Sequence, residues 1–205
     1  MKILAFSDLH HARARAAALV AASAQADLVI GAGDFCNMRQ DLSGAMGLLA
    51  GMAAPMVVVP GNAESHDELL AAAPEGVTVL HGSGVVIGGL AIFGLGYAVP
   101  ETPFGGWSCD LSEEQAAAML ETCQGADIMA LHSPPKGIAD AISQGLSVGS
   151  VAIRDAISRV QPQLAVCGHI HDSWGKTGQI GATRVVNLGP GITWFEIAPS
   201  EKDAS

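Results

Sequence analysis

Residues 1–10 have the sequence MKILAFSDLH, in which a short apolar run is followed directly by an aspartate and a histidine. The run at residues 3–6 has the length and composition of a buried β-strand, and Asp8 and His10 come immediately after it. The Ala-rich residues 11–24 then predict a helix. This order of strand, polar side chains and helix recurs along the chain.

The alternation of apolar runs and helical stretches predicts an α/β domain with parallel strand pairing. Apolar runs occupy residues 28–30, 56–59, 127–131 and 164–167. Helical stretches occupy residues 41–52, 67–73, 113–123 and 151–160, the third of them preceded by Ser112 and Gln115 at the spacing of a capping box. Because no repeat or linker interrupts the pattern, we expect one domain over residues 1–198 and a loose tail at 199–205.

The middle and the end of the chain have a different pattern. Short apolar runs at residues 77–79, 85–87 and 90–93 are separated by Gly-rich turns, which predict antiparallel pairing among them. Further short strands are expected around residue 180 and at residues 184–187 and 193–197.

The charge balance argues against a nucleic-acid partner. Ten Lys and Arg residues against twenty Asp and Glu residues give a formal net charge of −10, whereas binding to a phosphate backbone depends on basic side chains. Phosphate chemistry remains open, because bound cations can reverse the local field. We therefore expect a small phosphorylated substrate rather than a nucleic acid.

Cysteine usage and the apolar segments predict a cytoplasmic protein. The cysteines lack C-x-x-C spacing and are expected to be reduced thiols: Cys36, Cys109, Cys123 and Cys167. Residues 44–61 carry no charge, but Pro55 and Pro60 interrupt them, so we expect no membrane span. The first apolar run meets Asp8 too early for a signal peptide.

Metal-type side chains follow five of the apolar runs. Ligands of open α/β sheets bind beyond the carboxyl ends of the strands, where residues far apart in sequence converge. Two carboxylates, one amide and four imidazoles suit Mn, Fe or Zn. An isolated histidine at a strand end is more often a polar loop residue, which is the interpretation favoured for His11, His66 and His81. The predicted metal ligands are Asp8, His10, Asp34, Asn62, His132, His169 and His171.

In order and context, these motifs resemble the motif series of the calcineurin-like metallophosphoesterases, and they extend from residue 8 to residue 171. The residues that carry the resemblance are Asp8-Leu9-His10, Gly33-Asp34, Gly61-Asn62, His132 and Gly168-His169-Ile170-His171. The segment His132-Ser133-Pro134-Pro135-Lys136-Gly137 is similar to the smaller bacterial and archaeal members.

The resemblance implies a fold and a set of roles. The fold would be a four-layer α-β-β-α sandwich with two mixed β-sheets packed face to face. Asp8, His10 and His171 would hold one divalent metal, and Asn62, His132 and His169 the second. Asp34 would bridge the two, and Asp34, Asn62 and His132 would be the catalytic members. Two such cations can share a bridging hydroxide and clamp a phosphoryl group for in-line hydrolysis.

One position departs from the family pattern. Most members have a histidine after the Gly-Asn pair, but this chain has Ala63, followed by Glu64. General acid catalysis is typically worth about 10²–10⁴ in rate, so its loss predicts a preference for esters with good leaving groups. His66, His11 or water would be the substitute donor, and we expect that His66 does not take this role.

Other candidate substrate contacts have equally good structural interpretations. His66, Lys136 and Arg39 are candidates for binding the phosphate, although a solvated surface charge is the simpler interpretation for Lys136 and Arg39. Phe104 and Trp107, in a Gly-rich loop, would form a lid or a subunit contact, or pack beneath the loop.

Three functions remain open at this point. The first is a phosphoesterase, acting on diesters or on activated monoesters. The second is a non-catalytic scaffold or interaction module on the same fold, for which degenerate ligands would be expected. The third is a nuclease, which the charge disfavours. A homo-oligomer is compatible with each of them.

Overall fold

The computed structural model describes residues 1–200. Eleven strands and five α-helices follow one another in the order β1 (Lys2–Phe6), α1 (Arg13–Ser23), β2 (Leu28–Gly31), α2 (Leu42–Gly47), β3 (Met56–Val58), α3 (His66–Ala72), β4 (Val77–Val79), β5 (Ser83–Ile87), β6 (Leu90–Leu95), α4 (Glu113–Leu120), β7 (Ile128–Leu131), α5 (Val151–Val160), β8 (Leu164–Cys167), β9 (Thr177–Ile180), β10 (Thr183–Asn187) and β11 (Thr193–Glu196). A short 3-10 helix spans His171–Ser173.

The strands form two mixed sheets. The first has the order β11-β1-β2-β3-β4, in which only β11 is antiparallel to its neighbour. The second has the order β5-β6-β7-β8-β10-β9, with a parallel centre and an antiparallel strand at each edge. Parallel centres arise because helices cross over between successive strands.

The two sheets pack face to face with helices outside, as the sequence predicted. In β1, Ile3 and Ala5 belong to a core cluster shared by both sheets, whereas Leu4 and Phe6 pack on the opposite side against α1 and α2. A third cluster joins the outer face of the second sheet to α4 and α5. Side chains of a strand alternate between faces, so each inner strand is buried on both sides.

The prediction of antiparallel pairing was right for β5 and β6 but wrong for residues 77–79. β4 pairs parallel to β3, with Val77 beside Met56 and Val79 beside Val58. The reason is that α3 lies between the two strands, so the chain returns to the same end of the sheet before β4 begins. β5 and β6 instead form a hairpin through Gly88 and Gly89, both at positive φ.

Three helices are shorter than predicted, among them α4, which ends at Leu120 rather than near residue 123. Helix α1 begins at Arg13 rather than at residue 11, because His11 has a left-handed backbone with φ of 58°. Helix α2 spans Leu42–Gly47 rather than residues 41–52. Asp41 lies outside this helix and caps it by accepting a hydrogen bond from the backbone N–H of Gly44.

Within residues 1–200, no helix combines the length and apolar character needed to cross a membrane. At the end of this range, the backbone N–H of Ser200 donates to a carboxylate oxygen of Asp127 at 3.2 Å. Of the tail expected at residues 199–205, residues 201–205 lie outside the described part of the chain.

Candidate metal centre

All seven predicted ligands lie at the carboxyl ends of β1, β2, β3, β7 and β8, where the two sheets meet. The Asp34 carboxylate is at the middle of the group, and its two oxygens face different histidines. Its Oδ1 lies 3.5 Å from Nε2 of His132, and its Oδ2 lies 3.5 Å from Nε2 of His10. The geometry is that of a carboxylate placed between two ligand clusters.

The first cluster contains Asp8, His10 and His171, whose donor atoms lie within 4.8 Å of one another. The Nε2 atoms of His10 and His171 are 3.4 Å apart, and Nε2 of His171 is 3.8 Å from Oδ1 of Asp8. Asp8 is buried, while the two rings are partly open to the cavity.

The second cluster is organised around the Asn62 side chain. Its Oδ1 lies 3.2 Å from Nε2 of His132 and 3.0 Å from Nδ1 of His169. Asp34 and His132 also form a potential metal-binding group with Asp8, again within 4.8 Å. The structure therefore brings together Asn62, His132 and His169, the set that the resemblance assigned to a second metal.

Two histidine rings are held with Nε2 directed at Asp34. His132 Nδ1 lies 2.8 Å from the carbonyl oxygen of Ala32, and His10 Nδ1 lies 2.9 Å from that of Cys36. A carbonyl oxygen only accepts, so each Nδ1 carries a proton, and Nε2 is the atom directed at the carboxylate. A backbone carbonyl that fixes the ring orientation in this way is typical of metal-binding histidines.

Further hydrogen bonds orient the oxygen ligands. Asn62 Nδ2 donates to Ser108 Oγ at 3.0 Å, which turns the Asn62 oxygen toward the histidines. Trp174 Nε1 donates to Asp8 Oδ2 at 2.9 Å, and the backbone N–H of His169 donates to Asp8 Oδ1 at 3.0 Å. Such second-layer partners hold a site in its binding geometry.

The pKa values of the histidines follow from burial and from the two carboxylates. Burial, together with the neighbouring His132, lowers the pKa of His169 to about 3. Burial also lowers the pKa of His171. For His132, burial opposes protonation, but the charges of Asp34 and Asp8 outweigh it and raise the pKa. The centre thus keeps the imidazoles of His169 and His171 neutral, as metal ligation requires. Beside Asp34 it attracts positive charge.

Four of the seven ligands have a left-handed backbone. The φ angles are 52° for Asp8, 46° for His10, 59° for Asp34 and 65° for His169. Residues with a Cβ atom adopt this region at a cost of about 1–3 kcal/mol each, and such positions cluster at functional sites. The strain turns each side chain back over the sheet edge toward the common centre.

The glycines that precede the ligands allow the loops to approach closely. A Cβ atom on Gly61 would collide with the Asp34 carboxylate, and one on Gly168 would collide with Asp8 and Ser7. Only glycine leaves room for a neighbouring ligand at these two positions.

Glu64 is a fully buried carboxylate behind the ligands. Its Oε1 accepts hydrogen bonds from the backbone N–H groups of Gly61 at 2.7 Å and of Asp34 at 2.8 Å. It thereby joins the loop after β2 to the loop after β3. Burial, followed by the charge of Asp34, raises the pKa of Glu64 to about 7. Sequence reasoning did not assign Glu64 a role.

A cavity of about 340 Å³ opens above the ligands. The polar part of the lining comes from the metal centre and Asp172. The apolar part comes from Phe104 and Trp107 in one loop, Ile142 in another, and Ile170 between His169 and His171. The lining residues are His10, Asp34, Asn62, Phe104, Trp107, Ile142, His169, Ile170, His171 and Asp172.

The three predicted substrate contacts do not line this cavity. Arg39 donates to Glu68 Oε1 from Nε at 3.1 Å and from Nη2 at 2.8 Å, and to Cys109 Sγ from Nη1 at 3.8 Å. Lys136 Nζ donates to the carbonyl oxygen of Ser147 at 2.7 Å. The ring of His66 stacks on His81 with centroids 5.6 Å apart. The positions of these side chains give no support to a phosphate contact.

Comparisons with known proteins agree with this geometry. The calcineurin-like phosphoesterase superfamily domain matches residues 1–196. The chain therefore belongs to the calcineurin-like phosphoesterase superfamily. It is 36% identical over 115 residues to metallophosphoesterase domain-containing protein 1 of Homo sapiens, a match that covers 53% of this chain and 33% of that protein. The chain thus matches about a third of the length of this curated relative.

Solved structures establish the same fold. The crystal structure of TT1561 from Thermus thermophilus is similar with a TM-score of 0.71 at 17% identity, covering 95% of this chain and 97% of that one. A dimetal phosphatase from Danio rerio is similar with a TM-score of 0.64 at 13% identity, covering 93% and 88%. The four-layer metallophosphatase fold predicted from the motifs is confirmed.

Proposed function

We propose that the protein is a phosphoesterase that hydrolyses phosphodiesters at a centre of two divalent metal ions. The observation that carries the proposal is the position of the Asp34 carboxylate between two histidines, with Oδ2 3.5 Å from His10 Nε2 and Oδ1 3.5 Å from His132 Nε2. A carboxylate flanked in this way would help to hold two cations. We assign Mn, Fe or Zn from the mixture of carboxylate, amide and imidazole donors.

When bound, two such cations stabilise charge on the phosphate oxygens and lower the pKa of a coordinated water. The chain holds them with Asp8, His10 and His171 on one side, with Asn62, His132 and His169 on the other, and with Asp34 between. Its remaining contribution is positional. Glu64 fixes the Asp34 and Asn62 loops to each other, and Trp174 fixes Asp8. Water adds to phosphorus and gives up a proton to solvent, while the P–O ester bond breaks and the ester oxygen departs with its bonding electrons.

Two features of the cavity support a diester over a monoester. Among the described residues that line it, none is Lys or Arg, and Asp172 contributes a carboxylate. A diester carries about one negative charge and a monoester close to two, since the second pKa of a phosphate group is about 6. Apart from the metal ions, the cavity lining therefore repels a diester less than a monoester.

The nature of residue 63 supports a good leaving group. Ala63 has no proton to donate, and its side chain is 2% exposed, packed in the cluster under α1 and α2. The His66 ring stacks on His81, and His66 does not line the cavity. Without a protein donor, the departing oxygen must be stable as an anion, as an aryloxide is.

The scaffold function is disfavoured because the ligand set is intact and converges. The nuclease function is disfavoured by the net charge of −10 and by the cavity lining. We propose a small phosphorylated molecule as substrate and a reducing compartment such as the cytoplasm as location, since the four cysteines are unpaired and buried. A homo-oligomer is compatible with this function.

The direct test is hydrolysis of bis(p-nitrophenyl) phosphate. We expect metal-dependent turnover that a chelator abolishes and Mn²⁺ restores, because the seven ligands are present while the acid is missing. Release of p-nitrophenolate gives the rate, and p-nitrophenyl phosphate assayed in parallel gives the diester preference. If no phosphate ester is hydrolysed with Mn, Fe or Zn, the scaffold function is favoured instead.

A further inference from the structure

Two loops form the walls of the cavity above the metal centre. The loop of residues 100–110 carries Phe104 and Trp107, whose rings are parallel within 4° and have centroids 5.7 Å apart. The loop of residues 138–149 carries Ile142, which also lines the cavity together with Ile170, the residue between His169 and His171. The cavity lining therefore combines the polar metal centre with an aromatic pair and two aliphatic side chains.

The aromatic wall is held in place by partly buried polar groups. Asp110 accepts hydrogen bonds from the backbone N–H of Thr102 at 2.7 Å and from its hydroxyl at 2.8 Å, and Ser108 also donates to Asp110. The same Ser108 accepts from the Asn62 amide, and the N–H of Cys109 donates to the Asn62 carbonyl at 2.9 Å. The loop is thus fixed relative to a metal ligand.

The second loop is tied to the first cluster in the same way. The backbone N–H of Ser143 donates to Asp172 Oδ2 at 2.7 Å, next to the ligand His171. Each loop is therefore attached to one half of the metal centre.

Phe104 is not needed to fill the core. It is 50% exposed, whereas Trp107 packs partly against the cluster under α1 and α2. A large exposed ring on a fixed loop leaves apolar surface uncovered, which a bound planar group would remove from water. Asp172, which also lines the cavity, disfavours an anionic group in this space.

We propose that Phe104 and Trp107 form a subsite for an uncharged, planar aromatic ester group of the substrate. The inference rests on the proposed phosphodiesterase function and names its substrate class: a diester with at least one aromatic ester group. With the phosphate at the metal centre, the ester groups extend along the walls. An aromatic ring in parallel or edge-to-face contact with the Phe104 and Trp107 rings is stabilised beyond the contribution of burial alone.

The subsite is tested by binding rather than by turnover. Phenylphosphonate, cyclohexylphosphonate and methylphosphonate present the same anion to the metals, and none has a hydrolysable ester. Calorimetric titration of the Mn-loaded protein should give a Kd for phenylphosphonate roughly three- to tenfold lower than for the other two. In Phe104→Leu this advantage should disappear while methylphosphonate binding stays unchanged.

Val86→Ala is the matched control, because Val86 is an exposed apolar residue on β5, outside the cavity. It should keep the wild-type order of affinities. Equal affinities for all three phosphonates in the wild type would overturn the subsite. Cyclohexylphosphonate binding as tightly as phenylphosphonate would overturn its aromatic character. Failure of all three to bind would count against the metal centre itself, and would remove the basis of the subsite with it.

Discussion

Asp34→Ala is expected to lower the metal-dependent hydrolysis of bis(p-nitrophenyl) phosphate by more than about 10²-fold. Loss of even an outer partner of a metal ligand typically costs about 10–10² in affinity or activity, and Asp34 faces both clusters. The measurement is kcat/KM for wild type and variant over a range of Mn²⁺ concentrations. Excess metal should not restore the activity of the variant, because the carboxylate between the two clusters is gone.

Asp34→Asn separates the charge from the local structure. One side-chain oxygen remains and can still accept the hydrogen bond that the backbone N–H of Ala63 donates to Asp34 Oδ1. The loop should therefore stay folded, while activity still falls by more than about 10²-fold. Asp155→Asn, at an exposed carboxylate on α5, is the control and should be unchanged. Wild-type activity in either Asp34 variant would show that Asp34 does not bridge.

Ala63→His is expected to help esters with poor leaving groups more than those with good ones. An alkoxide needs a proton as it departs, whereas nitrophenolate is stable as an anion. The gain in kcat/KM should rise with the pKa of the leaving group, up to the ceiling of about 10²–10⁴ for general acid catalysis. The measurement is a plot of log kcat/KM against leaving-group pKa.

Packing around residue 63 makes a size-matched control necessary. Ala63 is 2% exposed, so any larger side chain must turn toward the cavity or displace its neighbours. Ala63→Asn adds a polar side chain of similar length that does not act as an acid near neutral pH. In the plot of log kcat/KM against leaving-group pKa, the line for this variant should run parallel to that of the wild type. Parallel lines for Ala63→His as well, with equal metal content, would mean that protonation is not the missing function.

The ligand set could be predicted because each ligand follows a buried strand. The apolar run before Asp8 and the run before His169 end in short polar segments, and strand ends of this kind meet at one sheet edge. The parallel pairing of β4 could not be predicted from residues 77–79 alone. It depends on the crossover through α3, the helix predicted at residues 67–73, whose place between the two strands makes them parallel.

The residues that support the ligands could not be predicted from sequence patterns. Glu64 could have been identified only by asking why an acidic residue follows Gly61-Asn62-Ala63 in an otherwise buried segment. Trp174 bonds to Asp8 across 166 residues of sequence, and no periodicity indicates that contact. The left-handed backbone of the ligands is likewise a product of tertiary packing.

Single charged residues are the weakest basis for predicting function. Arg39 and Lys136 are candidates because basic side chains bind phosphate. In the structure, however, Arg39 forms an ion pair with Glu68, and Lys136 donates to the Ser147 carbonyl. Phe104 and Trp107 can be recognised in the sequence as a loop pair, but their place at the metal cavity follows only from the fixed loop geometry.

The metal content of the purified chain tests the central claim most directly. After loading with Mn, Fe or Zn and removal of free metal, elemental analysis should give two ions per wild-type chain. The same measurement on Asp34→Asn should give a lower content, because the carboxylate between the clusters is lost. A wild-type content that stays at one or below for all three metals would contradict a dinuclear centre.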